Sequence, residues 1–235
     1  MWIVKPGELT NRGNGIVVCL HIDEIKGIIR KGGKHWDGSA KTFIIQEYIE
    51  RPFLYQGRKF DIRHFVLVTS VNGKSKGYWF KRGYIRTTSS EYTLNHGMAA
   101  VHLTNDAVQK QLPDYGRFEK GNKLSYEEFQ AYLKREYEEK YDFWGSVYPQ
   151  MRRIATEAMQ AAGNSMDPRK LQHNFELFGL DFLIDSNFKP WLIEVNSNPC
   201  LEVSCPLLAD MIPSLLENTL KIGVDSLTPP PVNFR

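Results

Sequence analysis

The pattern of apolar and polar positions predicts a chain built from short strands and amphipathic helices. Several runs are rich in β-branched and aromatic residues, as is typical of strands. Polar or glycine-bearing segments separate these runs, so most of them are expected to pair with a neighbour. The predicted strands cover residues 2–4, 16–18, 43–49, 59–68, 78–80 and 84–87, the last two turning near Arg82-Gly83.

Helical spacing of apolar residues marks the other elements. A first helix is predicted from Leu20 to Ile29, closed by Gly32-Gly33, and a short one from Asp106 to Gln111 with a Thr or Asn cap. Residues 124–163 alternate aromatic and charged positions, with Ser125 to Glu128 as an N-terminus and Pro149 as a first-turn residue or a kink.

The C-terminal part of the chain ends in one more helix and a tail. Residues 207–220 are predicted to form a helix that breaks into two pieces at Pro213, because proline lacks the amide proton that a helix interior needs. After Gly223 three consecutive prolines predict an extended, mobile tail.

Two apolar runs, residues 178–185 and 191–199, predict a β-hairpin that carries chemistry. Because side chains alternate along a strand, Glu194 and Asn196 share a face, and Asp181 on the partner strand can face them. Two carboxylates and an amide oxygen, without His or Cys, suit Mg²⁺ better than zinc. The alternative is an ordinary hairpin with polar residues on its solvated face.

A row of charges follows the strand at residues 59–68. Lys59, Asp61 and Arg63 fall on one face of it, and this order of cation, anion and cation suits a surface that meets phosphate and carboxylate together. The alternative is a salt-bridge ladder on a solvated face, which would contribute little to stability. Arg86 is a further cation in an apolar setting.

The first two strands enclose a glycine-bearing loop. Its backbone N–H groups can approach phosphate oxygens, and Lys5 and Arg12 would supply positive charge. A plain hairpin loop explains the same residues. The strand at residues 43–49 also has two interpretations: its edge could hold an adenine, or it could be an ordinary core strand.

Composition limits the classes of protein that fit. The chain has 235 residues, 42% of them hydrophobic, which is enough for one large or two small domains. Its three cysteines lack metal-type spacing, and their odd number indicates a reducing compartment. No apolar run approaches the ~18 residues of a membrane span and no signal peptide is evident, so a soluble protein without membrane contact is expected.

Net charge divides along the sequence. Residues 1–90 hold 16 Lys and Arg against 7 Asp and Glu, a charge of +9, and the remaining residues hold 14 against 20, a charge of −6. The basic part is expected to attract nucleotide phosphates or an acidic polypeptide. Nucleic acid is not expected, because no zinc finger, RNP-type aromatic run or basic helix is present.

The chain carries seven motifs: WIVKP with NRGNGI, QEYI, RKFDIR, IRT, HLTN, GLDF and IEVN. Together they resemble the tubulin-tyrosine-ligase-like family, in the family's order and over nearly the whole chain. The resemblance implies an α+β ATP-grasp fold, with mixed or antiparallel sheets, flanking helices and nucleotide between two lobes. It predicts a central lobe at residues 1–50, a C-terminal lobe at 51–223 and a tail at 224–235. Because the family's domain extends upstream, part of it is expected to be missing.

The resemblance also assigns roles to residues. Asp181, Glu194 and Asn196 would hold Mg²⁺, in agreement with the hairpin pattern. Lys59, Asp61, Arg63, Arg86 and Glu194 would be catalytic. Nucleotide-binding residues would be Lys5, Arg12, Gly13, Gly15, Gln46, Glu47, Tyr48, Ile49, Lys59 and Asp181, with Lys5 and Lys59 on ATP phosphates and Gln46 to Ile49 around adenine. The acceptor carboxylate and the amino acid would meet Asp61, Arg63, Arg86, His102, Thr104 and Asn105.

The implied activity is an ATP- and Mg²⁺-dependent ligase that joins a free amino acid to a carboxylate on a tubulin tail through an acylphosphate. Glutamate is the expected amino acid because the glycine-bearing loop looks nearer to polymodifying members, with tyrosine and glycine as alternatives. A different class of function is an inactive fragment or pseudo-enzyme that binds acidic tubulin tails. We expect a monomer in the cytoplasm, on microtubules and in cilia or basal bodies.

Overall fold

The computed structural model describes residues 1–7, 13–94, 99–225 and 227–229. They form two compact units whose segments alternate along the chain. The first unit contains residues 1–60, 86–118 and 185–187, and the second contains 61–85, 119–184 and 188–235. The predicted lobe boundary after residue 50 stays a prediction.

The first unit holds a three-stranded sheet and a helix. Strands β1 (Trp2–Pro6), β2 (Val17–Cys19) and β3 (Phe43–Glu47) are antiparallel, with β1 in the centre. Helix α1 (Ile22–Lys31) buries Ile25 against Val4 and Cys19, and Phe43 packs at the same cluster. The predicted strands and helix are confirmed here, with the helix two residues further along.

Strand β4 (Leu54–Tyr55) and two short helices, α2 (Ala99–His102) and α3 (Asp106–Gln109), also belong to the first unit. Asn105 stands at the N-cap position of α3, as predicted, but its side chain makes no capping hydrogen bond. One reason is that the Asn105 Oδ1 atom lies against Gly13.

The strands at the centre of the second unit belong to a six-stranded sheet, in the order β7-β6-β5-β8-β9, with β4 paired to the start of β5. Besides β4, its strands are β5 (Arg58–Val71), β6 (Lys74–Glu91), β7 (Lys123–Ser125), β8 (His173–Ile184) and β9 (Pro190–Asn196). The pairs β5–β8 and β8–β9 are antiparallel. The hairpin predicted for the C-terminal part is therefore confirmed as β8 and β9.

The predicted turn at Arg82-Gly83 is wrong, because β6 runs through it for 18 residues. The chain reverses at Asn72-Gly73, where both residues have positive φ angles of 51° and 77°. Gly83 is required for close packing instead, since a Cβ atom there would lie 2.1 Å from the Tyr126 hydroxyl oxygen. Glycine suits both a turn and a close approach, so the residue type alone does not distinguish the two.

Helices cover both faces of this sheet. On one face Phe65 and Tyr84 pack against Leu208, Met211 and Leu215 of helix α6 (Pro206–Gly223). Because neighbouring residues on a strand point to opposite faces, His64 lies on the other face, where it contacts Tyr126 of α4 (Tyr126–Tyr137) and Tyr148 of α5 (Tyr148–Met166). The second unit is thus an α/β/α sandwich.

Of the sequence signals for helix starts and breaks, two are confirmed and one is wrong. Ser125 and Glu128 form the predicted capping box at the start of α4, and Pro149 lies in the first turn of α5, as predicted. The predicted break at Pro213 is wrong, because α6 continues through it for 18 residues. Burial of Leu208, Met211, Ile212 and Leu215 on one face keeps the helix continuous despite the missing backbone hydrogen bond.

Beyond α6, the backbone N–H groups of Leu227 and Thr228 donate to the Val224 carbonyl, so the described start of the tail is a turn and not an extended segment. None of the helices among the described residues is long and apolar enough to cross a membrane.

Candidate functional site

The hairpin of the second unit aligns the three predicted metal ligands. Asp181 on β8 pairs directly with Glu194 on β9, and Gly179 pairs with Asn196. Directly paired residues in an antiparallel sheet point to the same face, and so do residues two apart on one strand. Asp181, Glu194 and Asn196 therefore share a face, and the Asn196 amide nitrogen donates to Glu194 Oε1 at 3.2 Å.

Arg63 extends this row onto a third strand. It pairs directly with Asp181, and its Nε and Nη2 atoms donate to the two Asp181 oxygens at 2.5 and 3.0 Å. Both side chains are buried, with 6% and 4% exposure. A bidentate pair of this kind fixes the orientation of the carboxylate, and removing one partner would leave a buried charge uncompensated, at a cost of about 3–5 kcal/mol.

The donor set of the row fits a hard divalent cation. A carboxylate that accepts two hydrogen bonds keeps lone pairs for a metal, Glu194 is exposed, and Asn196 can turn its amide oxygen toward the same point. Within the described residues no three or more His, Cys, Asp or Glu cluster around a possible metal position. Two carboxylates and an amide suit a cation that takes its remaining ligands from water and phosphate.

Gly179 is a residue of this site that the sequence analysis did not assign. A Cβ atom at this position would lie 2.7 Å from the Pro199 Cβ atom and 3.3 Å from Arg63 Cδ. Glycine therefore leaves the space through which the Arg63 side chain reaches Asp181. A glycine inside a strand is the signal that could have found it, because such a glycine often marks a close approach.

In the first unit, Tyr48 joins two predicted site residues. Lys59 Nζ donates to the Tyr48 hydroxyl at 2.8 Å, and that hydroxyl lies 2.7 Å from His102 Nδ1, a hydrogen-bond distance. The three side chains are buried. Burial raises the pKa of Tyr48 well above its usual range, with a smaller contribution from Tyr92. The hydroxyl is therefore neutral and can accept from the ammonium group.

This network brings together residues that the resemblance assigned to three different roles: adenine, phosphate and acceptor binding. Residue spacing gives no sign of it, since 54 positions separate Tyr48 from His102. The ammonium of Lys59 also lies 4.5 Å from the centroid of the Tyr48 ring. Tyr48 therefore holds Lys59 in place through both its hydroxyl and its ring face.

The glycine-bearing loop is described from Gly13 onward, and Arg12 lies outside the described residues. Gly13 and Gly15 have φ angles of +81° and +75°, which side-chain-bearing residues rarely adopt. A Cβ atom on Gly13 would lie 3.1 Å from Asn105 Oδ1. The structure thus places a predicted phosphate-loop residue beside a predicted acceptor-binding residue, within the first unit.

Lys5 and Gln46 lie on one face of the three-stranded sheet. Lys5 pairs with Ile44 and Ile3 pairs with Gln46, so all four side chains point the same way, opposite to the face that α1 covers. Glu47, the next residue, is exposed and points to the α1 face, and Ile49 is half-buried beyond the strand.

The remaining predicted residues belong to both units and differ in exposure. Arg86 and Thr104 are buried in the first unit, and Asp61 is half-buried in the second. Lys59 and Arg63 are also buried, so a ladder on a solvated face does not describe this strand. The catalytic, nucleotide-binding and acceptor-binding roles of all these residues stay predictions.

Comparison with known proteins supplies the family. The model of the tubulin-tyrosine ligase family matches residues 1–232. Tubulin glycylase 3A of Drosophila melanogaster is 38% identical over 98% of this chain, and protein monoglycylase TTLL8 of Homo sapiens is 37% identical over 96%. Tubulin glycylase 3B of Tetrahymena thermophila is 33% identical over 96%. The chain spans 23%, 26% and 18% of the lengths of these relatives. The chain belongs to the tubulin-tyrosine ligase family.

Proposed function

We propose that this chain is the catalytic part of an ATP-dependent ligase that attaches glycine to a glutamate carboxylate on a tubulin tail. The observation that carries the proposal is the row of Arg63, Asp181, Glu194 and Asn196 across three paired strands, in a chain of this family. The two α+β units with antiparallel sheets support an ATP-grasp fold.

The proposed donor differs from the glutamate that the loop motif favoured. The relatives with the printed names tubulin glycylase and protein monoglycylase match nearly all of this chain at 33–38% identity. None of the three is named for glutamate transfer. Similarity of this extent over nearly the whole chain favours glycine as the donor, with tubulin as the acceptor.

The proposed reaction has two steps. A carboxylate oxygen of the acceptor attacks the γ-phosphorus of ATP, the bond to the β-phosphate oxygen breaks, and an acylphosphate and ADP form. The amine of glycine then attacks the acyl carbon, phosphate leaves with the C–O bond electrons, and the amine loses a proton as the amide forms. Both steps bring anions together, so positive charge held in place lowers the barrier.

Different residues of this chain would bind the phosphates, the metal ion and the acceptor or amino acid. Lys5 and Lys59 would bind ATP phosphates, with Lys59 held by Tyr48. Arg63 orients Asp181 through two hydrogen bonds and neutralises its charge in the buried row. Asp181, Glu194 and Asn196 would hold Mg²⁺, which when bound neutralises phosphate charge. Arg86, His102 and Thr104, all buried, would bind and orient the acceptor carboxylate or the amino acid.

The variant Glu194→Gln tests the proposed site. It keeps the shape of the side chain but removes one of two carboxylates, so we expect ligation to fall by about 10²–10³ or more while the fold survives. Ligation is measured by product mass and folding by thermal unfolding. Glu176→Gln is the matched control, because Glu176 is an exposed carboxylate on β8 outside the row. Near-normal turnover of Glu194→Gln would contradict the assignment.

A further inference from the structure

The first unit contains a cleft whose described lining residues, apart from Gly15, have no role in the proposed reaction. This cleft of about 630 Å³ lies between the end of α1, the segment that follows it and the residues Asn14 and Gly15. Apolar side chains and three basic ones line it together. The lining residues used below are Pro6, Ile28, Lys31, His35, Lys41 and Phe43.

This cleft opens on the sheet face opposite to Lys5 and Gln46. Pro6 pairs with Phe43, and Val4 pairs with Ile45, so these four side chains point toward α1. Val4 and Phe43 pack with Ile25 of α1, which confirms the direction. Lys5 pairs with Ile44 and points to the other face. The cleft therefore opens on the other face of the sheet from Lys5 and Gln46, and of the predicted nucleotide-binding residues that the structure describes it contains Gly15.

The segment that borders the cleft, residues 26–41, is positively charged, although Lys26 at its start pairs with Asp23. Residues 26–41 contain five Lys or Arg and one Asp, a formal charge of +4. Lys31, Lys34 and Lys41 are exposed, and in the described part of the chain no carboxylate lies within ion-pair distance of any of these three. The lone acidic residue, Asp37, accepts hydrogen bonds from Ser39 instead, which lower the pKa of its carboxyl group.

An aromatic side chain stands beside the cleft. Trp36 follows the lining residue His35 and is 96% exposed, in a turn closed by a bridge between Lys34 and Ala40. An apolar floor formed by Pro6, Ile28 and Phe43 suits a hydrophobic side chain, and the cations suit carboxylates around it. The exposed tryptophan next to His35 in sequence adds an aromatic surface that a peptide can cover.

We infer that this cleft binds an acidic peptide segment with an apolar side chain in its middle, as a docking site apart from the reaction. Its occupant is a polypeptide rich in glutamate or aspartate, because charge complementarity selects acidic chains and the apolar floor anchors one side chain. The inference rests on the proposed function in one respect: it takes the acidic peptide to be part of the acceptor's own tail. The cleft would hold a part of the tail distant from the modified glutamate.

Peptide binding without ATP tests the cleft directly. A fluorescently labelled peptide of ten glutamates around one phenylalanine is titrated with the chain and followed by anisotropy. We expect the triple variant Lys31→Glu, Lys34→Glu, Lys41→Glu to bind about tenfold or more weakly, and salt to weaken wild-type binding. The matched control, Lys74→Glu, Lys134→Glu, Lys140→Glu, changes the net charge equally at exposed positions elsewhere. Equal losses in both variants, or none in the first, would overturn the inference.

Two further readouts separate this site from the proposed reaction. Peptide binding should change tryptophan emission in the wild-type chain, and the Trp36→Phe variant should lose most of that change. Ligation to a short acceptor peptide with one glutamate should be unaffected by the cleft variant, whereas ligation to a full tail should show a raised KM with kcat unchanged. If ligation fails altogether while cleft-dependent binding persists, the proposed reaction is wrong and the docking site stands. An unchanged KM for the full tail would overturn the docking role.

Discussion

At the scale of single residues, burial decides what the charges of this chain can do. Lys59 and Arg63 retain 7% and 6% exposure, and each has a partner at close range, Tyr48 for the lysine and Asp181 for the arginine. Cations held this way are already oriented and are screened weakly by salt, unlike surface lysines. Residue spacing showed that the two share a strand face. Their burial depends on helices and strands distant in sequence, which spacing does not reveal.

His64 should make the fold sensitive to acid. It is fully buried between Trp79 and Tyr126, and burial lowers the pKa of its imidazole to about 3. In the unfolded chain the same group has a pKa of about 6.5 and takes up a proton below it, so the unfolded state gains stability as the pH falls from about 6.5 toward 3. Above pH 7 the effect vanishes.

We therefore expect the free energy of unfolding to be about 1.4 kcal/mol lower at pH 5.5 than at pH 7.5 through this one residue. Urea unfolding at both pH values measures the difference. The variant His64→Gln, which cannot titrate, should lose that part of the pH dependence even though it is less stable throughout. An identical pH dependence in the variant and the wild-type chain would contradict this role of His64.

At the scale of elements, the sequence predicted the strands better than it predicted where they turn. The hairpin of β8 and β9 was found because apolar runs flank a polar break, and its register follows from alternation. Glycine and proline were less reliable signals. Gly83 predicted a turn but accommodates Tyr126, and Pro213 predicted a helix break but lies in a helix whose buried face keeps it continuous. The residue type shows which local conformations are possible. Packing against elements distant in sequence decides which of them the chain adopts.

Gly179 provides a test at this scale. We expect Gly179→Ala to lower the free energy of unfolding by about 1–3 kcal/mol, because its Cβ atom would overlap Pro199 and crowd the Arg63 side chain. Ligation should fall as well, since a shifted Arg63 no longer orients Asp181. Urea unfolding and product mass measure the two effects. Gly77→Ala is the matched control, because a Cβ atom there meets nothing within 4 Å. A Gly179→Ala chain as stable and active as this control would refute the role.

At the scale of the whole molecule, the family resemblance predicted more than the pattern of apolar and polar residues did. The seven motifs identified the family that the comparison establishes over residues 1–232, and with it the residues to inspect. The division into two units does not follow any break in composition, because each unit collects segments that are distant in sequence. The loop motif predicted glutamate as the donor, whereas these relatives carry the names glycylase and monoglycylase. Donor choice depends on the shape of a binding site, and linear motifs carry little of that information.

The most direct test of the proposed function is the identity of the added residue. The purified chain is incubated with ATP, Mg²⁺, tubulin and one free amino acid at a time, and the mass of the intact tubulin is measured. We predict an increase by whole glycine residues with glycine alone, and no increase without ATP. An increase with glutamate or tyrosine but not with glycine, or no increase with any donor while the chain binds ATP, would contradict the proposal.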